Sequence, residues 1–545
     1  MLQFAYKNRP GSSSKMRQLK NQSSSFSSYM LSHRLIRLVL GSILLLTFLL
    51  LLSSLSEIAR DSEKNGQRLT IPPTLYKERS KEKFAGSRQQ EEQQYLAYLP
   101  HSGLSNQRIE LANALLLAAM LRRTLVLPPA FLGTVIGWME KEQIYDHLGW
   151  LTNASVSFEH ICRPATPDDL ATYIRRSRCG EYRRFGVVPW KELHDLEPLS
   201  QYVDIRFQEM VSLPQLQQDL GIDDSDTYVH TDQHLYDWRL YEDLSVARKL
   251  LKTGTNYFDS FAGRRYYKVY TIKHWQRRPE RLLQLGGIFG STRFNLIDPE
   301  HIALRNKIAS VLHFRRDTRI GETARNIVNY LGGTGSFMGV HFRTGDKPFK
   351  QQLPKNMVLF AQGMAQLTGA PVIPKEEDIL DSIEQQQNIT NNYKAGLEVE
   401  KEDVISLEDE EKKRVFLLPP TEGLHLPPWS TVCRNVPTTK DVPITSGFRT
   451  VIYIATDQRE PRSPTSKLLP WFDMFPCTVT LDDLPDYLFE PLDSLHDMIV
   501  PDKPLKSFLI PIVDAMVAAH AQEVFTTPRS TYSKFINEMN QAWVH

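Results

Sequence analysis

The chain has 545 residues, 41% of them hydrophobic, which is enough to build two or three domains with buried cores. Its formal charge is +2, but the first 56 residues hold seven of the 65 Lys and Arg and none of the 63 Asp and Glu, so the remainder carries a formal charge of −5. A mildly acidic body argues against a nucleic-acid-binding protein, which would present a basic face.

An apolar run at residues 38–56 follows a basic tail at residues 1–37. At about 1.5 Å per residue a helix of this length spans roughly 30 Å, the thickness of the hydrocarbon layer. A cleaved signal peptide is the alternative, but the long tail and the long run favour an anchor. Acidic residues follow the run, which predicts a cytosolic N-terminus. We therefore predict a single-pass type II membrane protein of the secretory pathway, Golgi or endoplasmic reticulum, with its body in the lumen.

A polar stem is predicted at residues 57–94, before the first ordered domain. Beyond it a strand at 95–99, a loop, a helix at 106–122 and a strand at 124–127 follow one another. This order is typical of the opening of a Rossmann-like domain, which we assign to residues 95–325.

The C-terminal part repeats this order of elements and predicts a second Rossmann-like domain over residues 326–545. A segment at about 373–450 is rich first in Gln and then in charged residues, so we predict a partly disordered surface insertion there. The predicted elements are strands at 337–340, 451–455 and 523–525 and helices at 510–521 and from 530 onward.

All four cysteines lie beyond the apolar run, in a compartment that permits disulfides. Three pairings are possible, of which we expect a local Cys162–Cys179 bond, with buried thiols as the alternative. The remaining two are Cys433 and Cys477. Sequons at Asn153 and Asn388 predict N-glycosylation.

The loop after the first predicted strand has features of an anion site. Gly103 permits close approach of the backbone to a ligand, and Asn106 lies at the predicted start of a helix. Unpaired N–H groups and the positive end of a helix favour a phosphate at such a place. The alternative is that Asn106 only caps the helix.

A second cluster, His341, Arg343 and Asp346, follows the apolar strand at 337–340. In open α/β folds, ligands bind beyond the carboxyl ends of the strands. A forked, permanently charged guanidinium at that place suits a phosphate or diphosphate. The alternative is a structural arginine that pairs with Asp346.

The third segment combines two C-terminal strand ends. Asp457 follows the strand at 451–455, where a carboxylate could accept hydrogen bonds from a purine or a ribose hydroxyl. Ser530, Thr531 and Tyr532 open the last helix and could hold phosphate. An ordinary Ser/Thr cap is the alternative for this helix.

Together, a luminal membrane-anchored body, two Rossmann-like halves and three phosphate-ready loops suggest a glycosyltransferase of the two-domain GT-B type, which needs no divalent cation. The competing GT-A type uses an Asp-x-Asp metal site, and Asp224-Ser225-Asp226 has that form but follows a polar helical stretch. His230, Asp232 and His234 lie in a polar segment without an obvious further ligand, so a surface or core role is expected for them. We therefore predict no metal site.

Residues 98–108 and 124–129 resemble the start of the GDP-fucose protein O-fucosyltransferase-like family, notably its fungal membrane-anchored members. Residues 341–346 resemble its His-x-Arg motif, and residues 454–457 and 530–533 resemble its later nucleotide-contacting motifs. The resemblance covers about residues 95–345 and 450–540, with the motifs in the same order. Tyr532 replaces a usual Phe, and Asp346 stands one step from the usual acidic position.

This resemblance implies roles for single residues. Arg343 would bind the β-phosphate and assist the departure of GDP, His341 would support the donor site, and Asp346 has an open role. Gly103 and Asn106 would also contact the diphosphate, and Asp457 would contact the guanosine. The phosphates and the base would be bound by Ser530, Thr531 and Tyr532.

The implied reaction is an inverting, metal-independent transfer of fucose from GDP-fucose to a hydroxyl acceptor on a protein or glycan, without a cofactor. Two alternatives stay open: a transferase that uses another nucleotide sugar, and an inactive luminal binding or scaffold protein of the same fold.

Overall fold

The computed structural model describes residues 93–153, 179–246, 259–261, 264–367, 375–399, 450–475 and 477–545. The predicted tail, the predicted anchor at residues 38–56 and most of the predicted stem lie outside these ranges. Within them, no helix combines the length and the apolar character needed to cross a bilayer.

The first half of the body is built around a five-stranded parallel sheet with the order β5-β2-β1-β11-β6. As predicted, β1 (Tyr95–Ala97), α1 (Leu104–Leu121) and β2 (Thr124–Leu127) follow one another, and β1 pairs with β2 in parallel. Both strands are completely buried, which explains why they are apolar without alternation. Their neighbours are β5 (Ile205–Phe207), β6 (Thr227–Val229) and β11 (Leu282–Gln284).

The second half holds a four-stranded parallel sheet with the order β15-β14-β13-β16. Its central strand, β13 (Met338–Phe342), pairs with β14 (Ile452–Thr456) on one side and β16 (Val524–Thr526) on the other. The fold class is therefore α/β with parallel sheets, as predicted. The edge strand is β15 (Thr478–Val479).

Alternating residues of β13 and β14 face two different cores. Val340, Phe342 and Ile454 pack into a cluster below the sheet with side chains of α8 (Lys347–Leu367) and α10 (Leu469–Met474). Tyr453 and its neighbours on the other face join the largest cluster, which also contains residues of β1, β2 and α1. The two sheets therefore share one continuous hydrophobic core.

The remaining elements connect and cover these sheets. A three-stranded sheet β10-β7-β12 and two antiparallel pairs, β3-β4 and β8-β9, belong to the first half. The predicted boundary between residues 325 and 326 falls inside α7 (Arg319–Tyr330). The other strands are β3 (Ala130–Gly133), β4 (Phe185–Val188), β7 (Trp238–Tyr241), β8 (Asp259–Phe261), β9 (Arg264–Tyr266), β10 (Lys268–Tyr270) and β12 (Phe294–Asn295), and the other helices are α2 (Lys141–Leu151), α3 (Trp190–Leu193), α4 (Leu213–Leu220), α5 (Ile272–Gln276), α6 (Pro299–Val311), α9 (Glu376–Val399), α11 (Lys506–Ala519) and α12 (Thr531–Trp543).

Part of the predicted insertion at 373–450 is regular structure, since α9 occupies Glu376–Val399. Ile379 and Ile383 of this helix are 1% and 7% exposed and pack into the core below the second sheet. Isolated apolar residues four apart form a helical face even in a Gln-rich context. Residues 400–449 lie outside the described ranges.

The cysteines and sequons are described only in part. Cys179 is disulfide-bonded to a cysteine outside the described residues, so the pairing with Cys162 stays a prediction, and Cys433 lies outside as well. Cys477 is buried. Asn388 is exposed on α9, whereas Asn153 is half-buried after α2.

Candidate functional site

Arg343 lies one residue beyond the central strand of the second sheet, in the loop that leads into α8. Its guanidinium contacts two carboxylates, with 3.0 Å from Nη1 to Asp457 Oδ2 and 2.9 Å from Nη2 to Asp346 Oδ2. The Arg343 side chain is 33% exposed and that of Asp346 61% exposed. Because a guanidinium has five N–H donors, three remain for another ligand. The predicted ion pair with Asp346 is therefore present together with free donor capacity.

Asp457 holds the Arg343 loop from the end of the neighbouring strand β14. Its Oδ1 accepts the Thr344 N–H at 2.6 Å and the Thr344 hydroxyl at 2.9 Å, and its Oδ2 accepts the Gly345 N–H at 3.1 Å. With the Arg343 contact, both oxygens already have two partners each. Asp457 would therefore have to give up one of these bonds in order to contact a guanosine.

The last helix, α12, begins beside the same loop. Ser530 is its N-cap and accepts the Ser533 N–H at 3.2 Å, so the predicted Ser/Thr cap is present. The Ser533 hydroxyl lies 2.6 Å from His341 Nδ1, and the Arg343 N–H donates to Thr527 Oγ1 at 3.0 Å. These bonds fix β13 and its following arginine to the N-terminal turn of α12.

The other two residues predicted on this helix face different surroundings. Thr531 is half-buried in the first turn. The Tyr532 ring lies 5.3 Å from the His341 ring, and its hydroxyl donates to the Pro511 carbonyl oxygen. Tyr532 therefore packs beside His341 with its hydroxyl already occupied.

The first loop differs in one detail from its prediction. The N-cap of α1 is Gly103 and the helix begins at Leu104, so Asn106 lies in the first turn and does not cap it. Asn106 Nδ2 instead donates to Ser102 Oγ at 3.3 Å. Gly103 has an extended φ of −85°, and a Cβ there would meet only Val135 Cγ2 at 3.6 Å. Neither the backbone nor the packing requires glycine at this position.

Arg108 connects the first loop to the last helix. Its guanidinium lies 3.6 Å from the centre of the Phe535 ring, and its Nη2 lies 3.1 Å from Glu538 Oε2. Arg108 and Phe535 each follow their helix caps, Gly103 and Ser530, by five residues, which is about 7.5 Å of helix axis. Both helix N-termini therefore lie close to this contact. The bonds between Ser533 and His341 and between Arg343 and Thr527 join the start of α12 to the end of β13.

Two strained residues precede these two helix caps. Ser102 has φ +68° and Arg529 has φ +66°, in the left-handed region that non-glycine residues rarely adopt. Each stands directly before an N-cap, Gly103 in one case and Ser530 in the other. Backbone strain of this kind concentrates at functional sites, where the surrounding structure maintains it.

Arg529 is the residue that the sequence reasoning missed. It is exposed at the N-terminal end of α12, and within the described residues it makes no hydrogen bond or ion pair. The sequence points to its neighbours, Ser530 to Tyr532, because hydroxyls open the helix. A basic residue directly before the cap was an equally good signal for an anion site.

Burial controls the charge of His341. The ring is 3% exposed, and burial lowers its pKa to about 4, with Arg343 lowering it further and Asp457 opposing the shift. His341 is therefore neutral at physiological pH and acts as a hydrogen-bonding group beside the cationic Arg343. Burial likewise raises the pKa of Asp514, on α11, to about 7. Its carboxylate accepts hydrogen bonds from the Tyr453 hydroxyl and the Thr456 N–H of β14.

We expect the contribution of His341 to the free energy of unfolding to fall in acid. Its folded pKa of about 4 lies below the unfolded value of about 6.5, so its contribution is complete above pH 6.5 and is lost as the pH falls towards 4. The loss is on the order of 3 kcal/mol. Urea unfolding at several pH values measures it, and His341→Gln should flatten this part of the curve. Asp514, whose pKa is raised, gives the opposite dependence of stability on pH. It does so equally in the wild type and in His341→Gln, so its contribution cancels when the two curves are compared.

The exposed His496 supplies the control for this measurement. His496→Gln should leave the slope between pH 6.5 and 4 as it is in the wild type. An unchanged slope in His341→Gln would contradict the assignment of the acid loss to this ring.

Asp224 and Asp226 lie in a 3-10 turn capped by Asp223, and Arg281 Nη1 lies 3.8 Å from Asp226 Oδ2. Within the described part of the chain, the group of side chains close enough to share a metal ion contains neither aspartate; it consists of His230, Asp232 and Asp237.

Comparisons with known proteins give one short match in sequence. No protein-family model matches the chain. O-fucosyltransferase 30 of Arabidopsis thaliana is 60% identical over 37 residues, so the chain spans about 7% of the length of this curated relative, and the match covers 7% of the chain itself.

Comparisons with solved structures give weak similarity. Crystal structures of POFUT1 in complex with GDP-fucose and with GDP have TM-scores of 0.32 and 0.33 and 10% sequence identity in both cases. They cover 83% and 82% of this chain and 95% and 94% of the POFUT1 chains. Similarity at this level does not identify a ligand for this chain.

Proposed function

We propose that the chain is a GT-B-type glycosyltransferase that transfers fucose from GDP-fucose to a hydroxyl group on a protein or glycan. The observation that carries the proposal is the Arg343 guanidinium, braced by Asp457 and Asp346 beside the N-terminus of α12. The motif resemblance and the 37-residue match to an O-fucosyltransferase support the choice of sugar and nucleotide.

The proposed chemistry follows from where charge develops. The acceptor oxygen forms a bond to the anomeric carbon while the bond to the β-phosphate oxygen breaks, so the electron pair and the negative charge pass to GDP. Arg343, the N-terminus of α12 and Arg529 supply positive charge for that group. Attack from the face opposite to the leaving diphosphate inverts the anomeric centre, and the acceptor proton passes to a base that we do not assign.

Arg343 and Arg529, with the N-termini of α1 and α12, supply the positive charge at the diphosphate for which GT-A enzymes use a metal ion. We therefore propose a metal-independent transfer. We assign the diphosphate to Arg343, Gly103, Asn106 and Arg529. His341 orients the first turn of α12 through Ser533, and Thr531 and Tyr532 line the same turn.

The location is also a proposal. The apolar run at residues 38–56 anchors the chain in a membrane of the secretory pathway, Golgi or endoplasmic reticulum, with the body in the lumen. Exposed Asn388 on α9 is then a candidate glycosylation site.

Calorimetric titration of the purified full-length chain with GDP, UDP, GDP-fucose and GDP-mannose tests the donor. We expect GDP and GDP-fucose to bind, UDP not to bind, and GDP to be released slowly from GDP-fucose by hydrolysis in the presence of EDTA. Binding of another nucleotide sugar would show that the donor is not GDP-fucose, and binding of none would favour a scaffold protein.

Gly103→Ala is expected to weaken GDP binding by about tenfold or more without loss of stability. The fold tolerates a Cβ at this position, since its nearest neighbour is Val135 Cγ2 at 3.6 Å. A diphosphate held against the backbone N–H groups of α1 would instead meet the added methyl group. Calorimetric titration with GDP and thermal unfolding measure the two effects.

Gly137→Ala is the matched control, because a Cβ there has no neighbour within 4 Å and the residue lies in the loop that faces Gly103. It should bind GDP like the wild type. Equal affinity in Gly103→Ala would remove the first loop from the diphosphate site.

A further inference from the structure

A second polar cluster lies at the carboxyl edge of the first sheet. His230 follows strand β6 directly, Asp232 lies two residues later, and Asp237 directly precedes β7. Their ligand atoms all lie within 4.8 Å of one another. We call these three residues the 230–237 cluster. Sequence reasoning grouped His230 and Asp232 with His234, whose ring stacks on Tyr267 at 3.8 Å, and overlooked Asp237.

Each residue of the cluster has one buried polar atom without a hydrogen-bond partner among the described residues. His230 is 5% exposed and Asp237 is fully buried. His230 Nε2, Asp232 Oδ1 and Asp237 Oδ1 are each sealed from solvent without a hydrogen bond. A buried polar atom without a partner is costly, and one cation bound to all three residues would give each of them a partner.

The separations within the cluster fit ligands around one cation. His230 Nε2 lies 3.5 Å from Asp232 Oδ1 and 3.7 Å from Asp237 Oδ2, which is longer than a hydrogen bond. Two ligand atoms at about 2.1 Å from a tetrahedral ion are roughly 3.4 Å apart. The carboxylate of Asp232 also depends on a glycine, because a Cβ at Gly286 would lie 2.0 Å from its Oδ2.

The two carboxylates supply anionic ligand atoms, so that with a neutral imidazole the cluster carries a formal charge of −2. Lys268 Nζ lies 2.7 Å from Asp237 Oδ2 and leaves Oδ1 without a partner. Buried Arg293 is the second cation near the cluster, on the side of Asp232. One nitrogen and two carboxylate oxygens are a ligand set suited to Zn²⁺ or Mn²⁺.

His301 provides a contrast elsewhere in the first half. It too lies between two carboxylates, at 2.5 Å from Glu242 Oε1 and 3.9 Å from Asp298 Oδ2. There the Glu242 Oε2 already accepts two backbone N–H groups, and Glu242 Oε1 contacts the ring directly. His301 therefore contacts its carboxylate partner directly, whereas the His230 ring lies 3.5 and 3.7 Å from its two aspartates.

We propose that His230, Asp232 and Asp237 bind one Zn²⁺ or Mn²⁺ ion that fastens the loop from His230 to Asp237 onto the edge of the first sheet. The ion is structural and takes no part in the proposed sugar transfer. The loop lies against Gly286, and Gly287 next to it contacts His101 in the first loop of the candidate site. The ion therefore stabilises the sheet edge that carries this loop.

The test uses the purified full-length chain, stripped with a chelator and reloaded with Zn²⁺, Mn²⁺, Co²⁺ or Ca²⁺. We expect one bound equivalent of Zn²⁺ or Mn²⁺ by elemental analysis, none of Ca²⁺, and a rise in Tm of about 3 °C or more. Co²⁺ should give visible ligand-field bands and quench tryptophan fluorescence, since the rings of Trp275 and Trp238 lie 5.5 and 6.3 Å from that of His230.

Four variants separate a metal site from an ion-pair network. Asp232→Asn and His230→Gln should each weaken Co²⁺ binding at least tenfold, while the control His301→Gln should bind like the wild type. Lys268→Met removes the competing cation, so it should bind Co²⁺ more tightly and regain its lost stability when metal is added.

The proposal is overturned if the stripped wild type gains neither Co²⁺ bands nor Tm on reloading. It is equally overturned if Asp232→Asn binds Co²⁺ as the wild type does. Should the Asp232 or His230 variant fail to fold, the Co²⁺ spectrum and the quenching of the wild type still decide, because only a site beside Trp275 and Trp238 gives both signals.

Discussion

Arg343→Ala is expected to lower the rate of GDP release from GDP-fucose by about 100–1000-fold, which corresponds to about 2.7–4 kcal/mol in the barrier. In the proposed transfer, Arg343 stabilises charge that appears on the diphosphate only as the sugar leaves. Its effect should therefore be larger on kcat than on the affinity for GDP-fucose. Turnover with GDP-fucose and calorimetric titration with GDP measure the two quantities separately.

Arg343→Lys tests whether the forked shape matters in addition to the charge. The guanidinium contacts Asp457 with one terminal nitrogen and Asp346 with the other, which a lysine ammonium cannot reproduce in the same geometry. We expect this variant to fold and its activity to be at least tenfold lower than that of the wild type.

The control for both variants is Arg319→Ala. Arg319 also pairs with a carboxylate three residues later, at 2.8 Å from Glu322, but it lies at the start of α7, away from the Arg343 loop. Turnover should stay at the wild-type level. Near-normal GDP release by Arg343→Ala in a folded protein would remove Arg343 from the reaction.

The sequence was sufficient to predict the strand that presents Arg343. An apolar run that ends in charge predicts a buried parallel strand with functional groups at its end, and β13 has this form. The hydroxyl-rich start of α12 was predicted for a similar reason, since Ser at an N-cap is a local signal.

The cap of α1 shows where a local signal misleads. Asn is a good N-cap, so the sequence favoured a helix beginning near Asn106, whereas Gly103 is the cap and the helix begins at Leu104, two residues before Asn106. Glycine is tolerated at N-caps, and the antiparallel bridge between Ser102 and Ile136 fixes the chain just before it. Tertiary pairing decided this boundary.

Contacts between distant segments could not be predicted from one sequence. Asp457 and Thr344 are 113 positions apart, and Arg108 and Glu538 are 430 positions apart. No periodicity or motif encodes which carboxylate will reach which loop. The role of Asp457 as a brace therefore became visible only in the structure.

Asp457→Asn is expected to lower turnover by roughly 10–100-fold, since hydrogen bonds to charged groups contribute about 1.5–3 kcal/mol. Every bond to Asp457 is donated to it: Oδ1 receives two from Thr344, and Oδ2 receives one each from Gly345 and Arg343. Either orientation of an asparagine amide would place its NH₂ group against N–H donors. The loop that carries Arg343 should then shift.

A matched control exists in Asp483. This carboxylate also accepts a backbone N–H and a hydroxyl from one threonine, Thr480, and pairs with one arginine, Arg462, at 2.7 Å. Asp483→Asn should therefore cost similar stability and leave turnover unchanged. Comparing the two variants separates a general loss of stability from a specific loss of Arg343 positioning.

Asp457→Asn also decides between the two roles of Asp457, contact with the guanine base and support of Arg343. If it binds the guanine base, as the motif resemblance implies, the wild type should prefer GDP over inosine diphosphate, which lacks the exocyclic amino group, and Asp457→Asn should lose that preference. If it braces Arg343, the preference should persist while kcat falls. Because both oxygens are already saturated within the chain, we expect the second result. A loss of nucleotide preference at unchanged kcat would restore Asp457 to the base and leave Arg343 held by Asp346 and Thr527.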